Sequence, residues 1–304
     1  MLIKVPGHCH QWLSQFNKIK GGIMKLRILL LLIFTLIGGM AFSQNVLDGV
    51  YVKEHTVERQ VIPYPYLREA DVMWSKRVWR VIDLNEKMNL PLRYPSSKQT
   101  TNRKSLIDLL MDAVEEGSLT AYSYADDEFT LPLTMKDIIS RGGARIDTVQ
   151  MQRPDPPYDT YDTVIAREFS RDKVIGFRVK EDWFFDKQRS VMDVRIIGIA
   201  PLMFAVAEDG NVREGNIKMP LFWVYYPEAR KLLANGEVFN RENDAERRSF
   251  DDIFQKRLFG SYIYKESNVF DRRIEDYRQG INALLESEKI KESISNFEHD
   301  MWEF

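Results

Sequence analysis

One cysteine, Cys9, and four histidines in 304 residues leave this sequence short of the side chains that do chemistry. Cys9 lies in a leader-like segment, so the chain beyond it has no thiolate nucleophile, disulfide or Cys-based metal site. Only His55 and His299 lie beyond residue 43, near opposite ends, which is poor material for a Ser-His-Asp set or a multi-histidine metal site. There is no Gly-x-Ser-x-Gly, no Gly-x-x-x-x-Gly-Lys-Ser/Thr loop and no dinucleotide fingerprint. Arg141-Gly142-Gly143-Ala144 reads as a helix stop and turn. The acids at Asp126-Asp127-Glu128 and at Asp155, Asp159 and Asp162 lack EF-hand spacing and read as solvated loops. No carboxylate pair stands out for glycoside hydrolysis. The expected catalytic, metal and cofactor residues are none.

Long apolar runs are missing too. The strongest, Ile28–Ile37, is too short for a helix across a bilayer core of roughly 30 Å. It follows Met24-Lys25-Leu26-Arg27 and precedes Ala41-Phe42-Ser43, the order of a secretory signal peptide over 24–43, with 1–23 as an upstream extension. Ser43-Gln44 stands where a lipid-anchored bacterial protein needs cysteine, so a soluble exported product is expected. Residues 1–43 hold five bases and no acid, which leaves 38 bases against 45 acids, a net charge of −7. That balance opposes phosphate binding and excludes nucleic acid as the expected partner.

What remains reads as an α+β chain of helices and antiparallel strands. Residues 44–67 form an extended arm, since Pro63 and Pro65 remove two donors and hold their neighbours extended. A first α/β unit covers 68–152, a Pro- and Asp-rich linker or long loop 153–172, and a strand region with a second α/β unit and a C-terminal helix 173–304. Between Lys173 and Phe204 the alternation of apolar and charged residues around the polar turn Asp186–Ser190 predicts an antiparallel hairpin.

A shift of 144 residues lays Trp79 on Trp223 and Ser105 on Ser249. Leu106, Leu109, Leu110 and Val114 then match Phe250, Ile253, Phe254 and Leu258, the stripe of an amphipathic helix. Each copy opens on Ser-x-x-Asp, close to a capping box, and ends near Gly117-Ser118 or Gly260-Ser261 before a Tyr-rich strand. The two units would flank the hairpin, with Trp79 and Trp223 in the core. From Arg272, the residues Ile274, Tyr277, Ile281, Leu285, Ile290, Ile294, Phe297 and Met301 fall on one helical stripe, interrupted by a weak point at Gly280.

Three long blocks, LREADVMWSKRVWRVIDLNEKMNLPL (67–92), KEDWFFDKQRSVMDVRIIGIAPL (180–202) and PLFWVYYPEARKLLANGEVFN (220–240), resemble the GldN/PorN family. The resemblance covers essentially the whole chain after the leader. It implies a periplasmic component of the type IX secretion and gliding motility machinery, peripheral to the inner face of the outer membrane. It also implies self-association in a ring with a GldK/PorK-type outer-membrane lipoprotein. The inner-membrane complex of GldL/PorL with GldM/PorM, driven by proton-motive force, would couple to that ring. No catalytic residues come with it. The expected role is structural and non-enzymatic, against the alternative of a periplasmic enzyme or glycan-binding module. Its expected contacts are the arm, the Trp74/Trp79 segment and the tail helix, with Tyr64, Tyr66, Trp74 and Arg80 as candidate anchors.

Overall fold

Strand β1 (Val72–Asp83) explains the plan of the molecule. Its residues alternate between two apolar sets, so it must be covered on both faces. A computed structural model describes residues 59–95, 103–125, 127–152, 154, 159–167, 169–207, 212–213, 215–243 and 245–301; the leader and the arm before Arg59 lie outside them. The described body belongs to one compact unit, residues 57–304.

The chain runs from β1 through α1 (Leu90–Arg93), α2 (Leu106–Glu115), β2 (Ala121–Tyr122) and α3 (Met135–Arg141) to β3 (Arg145–Gln152) and β4 (Thr160–Arg167). Then follow β5 (Val174–Asp186), β6 (Val191–Phe204), β7 (Lys218–Pro220), β8 (Trp223–Tyr225) and α4 (Tyr226–Asn235). The remainder is β9 (Glu237–Val238), β10 (Arg248–Ser249), α5 (Phe250–Gln255), β11 (Tyr262–Glu266) and α6 (Ile281–Asp300). This is the expected α+β fold. Part of the expected linker is strand, because β4 pairs antiparallel with β3 as a separate ribbon. The expected stop at Gly142-Gly143 is there: Gly142 caps α3 and Gly143 takes φ 89°.

The main sheet has the order β11-β1-β5-β6-β8-β2, with β7 also on β6. Its centre is the expected hairpin, β5 on β6, turning at 187–190. The matched units lie on either side of it. β1, with Trp79, borders β5, and β8, with Trp223, borders β6. Their Tyr-rich strands are exchanged: β2 of the first unit pairs with β8, and β11 of the second pairs with β1. Both units contribute to one sheet.

Register decides what each face holds. Val78 lies opposite Glu181 and Arg80 opposite Val179, so these four share a face. That face meets the helices: Ile82, Phe177, Val179 and Ile199 join Leu106 and Leu110 of α2, Leu233 of α4 and Phe250 and Phe254 of α5 in the largest core cluster. The opposite face carries Trp79, Val81, Ala200, Leu202, Trp223 and Tyr264, and every member of that second cluster comes from a strand or a loop. Trp79 and Trp223 are thus both buried, on the helix-free side.

Both capped helix starts form. The Ser105 hydroxyl accepts from the Asp108 N–H, and Ser249 with Asp252 makes a full capping box. α2 ends at Gly117 with φ 74°. α5 stops earlier than expected, at Gln255, and Arg257 rather than Gly260 takes the left-handed position, φ 52°. Gly260 has a different constraint: a Cβ there would lie 2.2 Å from a Glu86 carboxylate oxygen. The six-residue α5 depends heavily on its cap. Ser249→Ala is expected to lower the unfolding free energy by about 1 kcal/mol, read from urea denaturation.

The tail differs from the single stripe expected. Gly280 takes φ 59°, so the helix starts only at Ile281, and Ile274 sits in a separate turn before it. Ile274 and Tyr277, before the break, still pack with Ile290 and Ile294, whereas Ile281 and Leu285 fall on the far side of the helix from them. Ile290 and Ile294 pack with Val78 and Ile263, and the Phe297 ring stacks on Trp74 with centroids 4.7 Å apart. The Ser287 hydroxyl accepts from the Ile263 N–H at 2.8 Å, so α6 covers the β11 edge.

Candidate functional site

The four candidate anchors have separate fates. Tyr64 is half-buried on its own body: its hydroxyl accepts from Gln255 at 2.9 Å, and the Arg230 guanidinium lies 4.3 Å from its ring centre. The arm is further tied by the Arg59 side chain to Asp252 and to the Arg247 carbonyl, and by Arg195 donating to the Pro65 carbonyl at 2.6 Å. Tyr66 points outward, 87% exposed. Trp74 serves the tail helix through Phe297.

Arg80 is 5% exposed, which removes it from any free surface. It lies under the helix layer beside Glu181, whose side chain is fully buried; Arg80 Nε stands 3.2 Å from the carboxylate. Arg257 closes on the same carboxylate at 3.1 Å and 3.2 Å, and Trp183 Nε1 donates to it at 3.1 Å. Arg80 Nε and Glu181 Oε1 have no aligned hydrogen bond, so charge holds this cluster more than geometry does. Burial pushes the Arg80 guanidinium below its ordinary value, against the pull of Glu181.

Two outward-facing regions stand out among the described residues. The first is apolar. While the later part of α6 is docked, Ile281, Leu284 and Leu285, at i, i+3 and i+4, are all exposed and form one short stripe. Val269 and Phe270, in the loop before it, are exposed as well.

The second is a cleft of about 750 Å³ on the helix-free sheet face, walled by Trp79, Trp223, Tyr124 and Tyr264. It is heavily charged. Trp79 Nε1 donates to Asp127, and Lys180, buried beside it, donates to the Asp127 carbonyl at 2.6 Å and lies 3.6 Å from its carboxylate. Asp182 holds Arg77 at 2.6 Å and Asp271 holds Lys265 at 2.6 Å. Three of the carboxylates in the cleft are therefore committed to cations, which leaves them poor general acids or bases. Burial lowers the Lys180 ammonium pKa, with Asp127 opposing, and raises the Tyr264 phenol to about 12.

Among the described residues, no group of His, Cys, Asp and Glu could hold a metal ion, and no helix is long and apolar enough to cross a membrane. The sequence reading missed the cleft. Its signal lay in Arg178, Lys180 and Asp182 alternating with Val179, Glu181 and Trp183, a pattern that assigns charges to one face without saying that aromatics share it.

A family described as "Gliding motility associated protein GldN" matches residues 67–303. The chain belongs to the GldN family. No curated protein matches it. GldN-family membership makes this chain a component of the gliding motility machinery, and by extension of the secretion apparatus linked to it. The GldN match begins at Leu67, so it covers every element described above and leaves out most of the arm.

Proposed function

We propose that this GldN-family protein is an exported, non-enzymatic structural component that acts in the periplasm by protein–protein contacts. In this reading it forms a ring with a GldK/PorK-type outer-membrane lipoprotein and is engaged by GldM/PorM, which works with GldL/PorL. The observation that carries the proposal is the exposed stripe Ile281, Leu284 and Leu285 on a helix whose other half is fixed to the body. Apolar side chains held outward on a rigid element fit a partner groove at little ordering cost. Tyr66, on an arm anchored through Arg59 and Tyr64, is a second outward contact of the same kind.

The enzyme alternative has weaker support. The cleft brings aromatics and carboxylates together, but Asp127, Asp182 and Asp271 are all ion-paired. Affinity purification of the protein from detergent-solubilised envelopes is expected to recover the lipoprotein in comparable amount, identified by mass spectrometry. Recovery of this chain alone would end the ring reading.

A further inference from the structure

Six cations line the cleft, and four have a carboxylate of their own: Lys76 with Glu266, Arg77 with Asp182, Lys180 with Asp127, and Lys265 with Asp271. Arg178 and Arg273 have no such partner among the described residues. Arg178 comes from β5, 8% exposed, with its guanidinium 4.7 Å from the Tyr264 ring centre and its Nε without a hydrogen-bond partner. Arg273 is exposed at the cleft wall and acts on Arg178 as a like charge, with Glu275 opposing it. A buried guanidinium with an orphan N–H and a second guanidinium beside it is costly unless something negative fills the gap. The Tyr264 ring and Glu275 offset part of that cost.

We propose that the cleft is a binding site for an organic oxyanion, a carboxylate or phosphate ester carried on a ring, with Arg178 and Arg273 holding the anion and Trp79 and Trp223 supporting the ring. Guanidinium forks suit carboxylate and phosphate because they offer paired donors in one plane. The size argues for more than a bare ion: roughly 30 Å³ is the share of one water, and organic ligands occupy sites of roughly 300–1,000 Å³. Since Lys180 and Arg77 have carboxylates of their own, the two arginines are the cations left to meet an incoming anion, with Glu275 acting on Arg178 from nearby. The proposal does not depend on ring assembly.

The test is titration of the full chain with benzoate, phenyl phosphate, inorganic phosphate and neutral benzyl alcohol, followed by NMR of the tryptophan indole N–H signals. Trp79→Phe and Trp223→Phe assign the two that matter. Saturable shifts of both signals are expected with benzoate or phenyl phosphate, and the stronger of the two shows whether carboxylate or phosphate is preferred. Arg273→Gln, at an exposed position, should weaken binding at least tenfold while circular dichroism stays unchanged. Arg178→Gln should abolish it, and Arg273 alone keeps the test decisive if that variant fails to fold. Benzyl alcohol binding as tightly as the anions, or Arg273→Gln leaving the affinity intact, would overturn the site. Inorganic phosphate binding as tightly as phenyl phosphate would overturn the role of the ring.

Discussion

Glu181→Ala is expected to be the most destabilising single substitution outside the apolar core. It removes the carboxylate that two buried or partly buried arginines share and leaves Arg80, 5% exposed, with a charge and no counterion. Breaking a buried pair from one side costs about 3–5 kcal/mol, because the surviving charge keeps its full desolvation penalty. Set against a usual unfolding free energy of about 5–15 kcal/mol, the loss threatens the fold at physiological temperature. Arg257 adds to it. Its φ of 52° is a strained position for a residue with a side chain, and the Glu181 contact with stacking on Trp183 at 5.1 Å holds it there. Urea denaturation would give the difference directly. A second variant separates charge from packing: Arg80→Met with Glu181→Leu should recover most of the stability, since apolar replacements of similar volume carry no desolvation penalty. A loss below about 1 kcal/mol in Glu181→Ala would mean that solvent relieves Arg80 and that the cluster is not sealed.

The largest effect on assembly is expected from Ile281→Asp, Leu284→Asp and Leu285→Asp combined. All three side chains are exposed, and the docking residues Ile290 and Ile294 lie further along the helix, roughly one and a half to three and a half turns away. Surface changes of this kind shift stability by about 0.5 kcal/mol or less each. Three charges in the centre of a protein interface, by contrast, place unpaired carboxylates in a desolvated contact, where single anchors are worth about 2 kcal/mol or more. Recovery of the lipoprotein partner should therefore fall at least tenfold, while the melting transition hardly moves. Partner recovery at the wild-type level would assign the contact to another surface, with the Tyr66 arm next in line.

Local chemistry was readable where a few neighbouring residues decide the outcome. Ser105 and Ser249 announced their helices because a hydroxyl three residues before a carboxylate can satisfy the first free N–H groups. The central hairpin followed from alternation around Asp186–Ser190. Trp79 and Trp223 were placed in the core correctly, but the cleft they line was not foreseen. It depends on which cations find carboxylates, and those partners come from other strands and loops. Arg80 shows the same limit. Directly after Trp79 it resembles a surface anchor, whereas its counterion lies about a hundred positions away and meets it only through the β1–β5 register. The tail differs for a nearer reason: along α6, Ile281 and Leu285 turn away from Ile290 and Ile294, although Ile274 and Tyr277, before Gly280, still pack with those two.

The exchanged edge strands constrain the order in which the molecule can be made. Val72–Asp83 leaves the ribosome early, yet one of its two neighbours, Tyr262–Glu266, is synthesised almost last. Until then the Trp79 strand has a bare edge, an invitation to pair with another chain. Contacts of such wide sequence separation also slow folding. A chain cut short before Tyr262 would therefore be an aggregation hazard rather than a smaller working half, and nascent copies at high local concentration would need shielding until the last strand arrives.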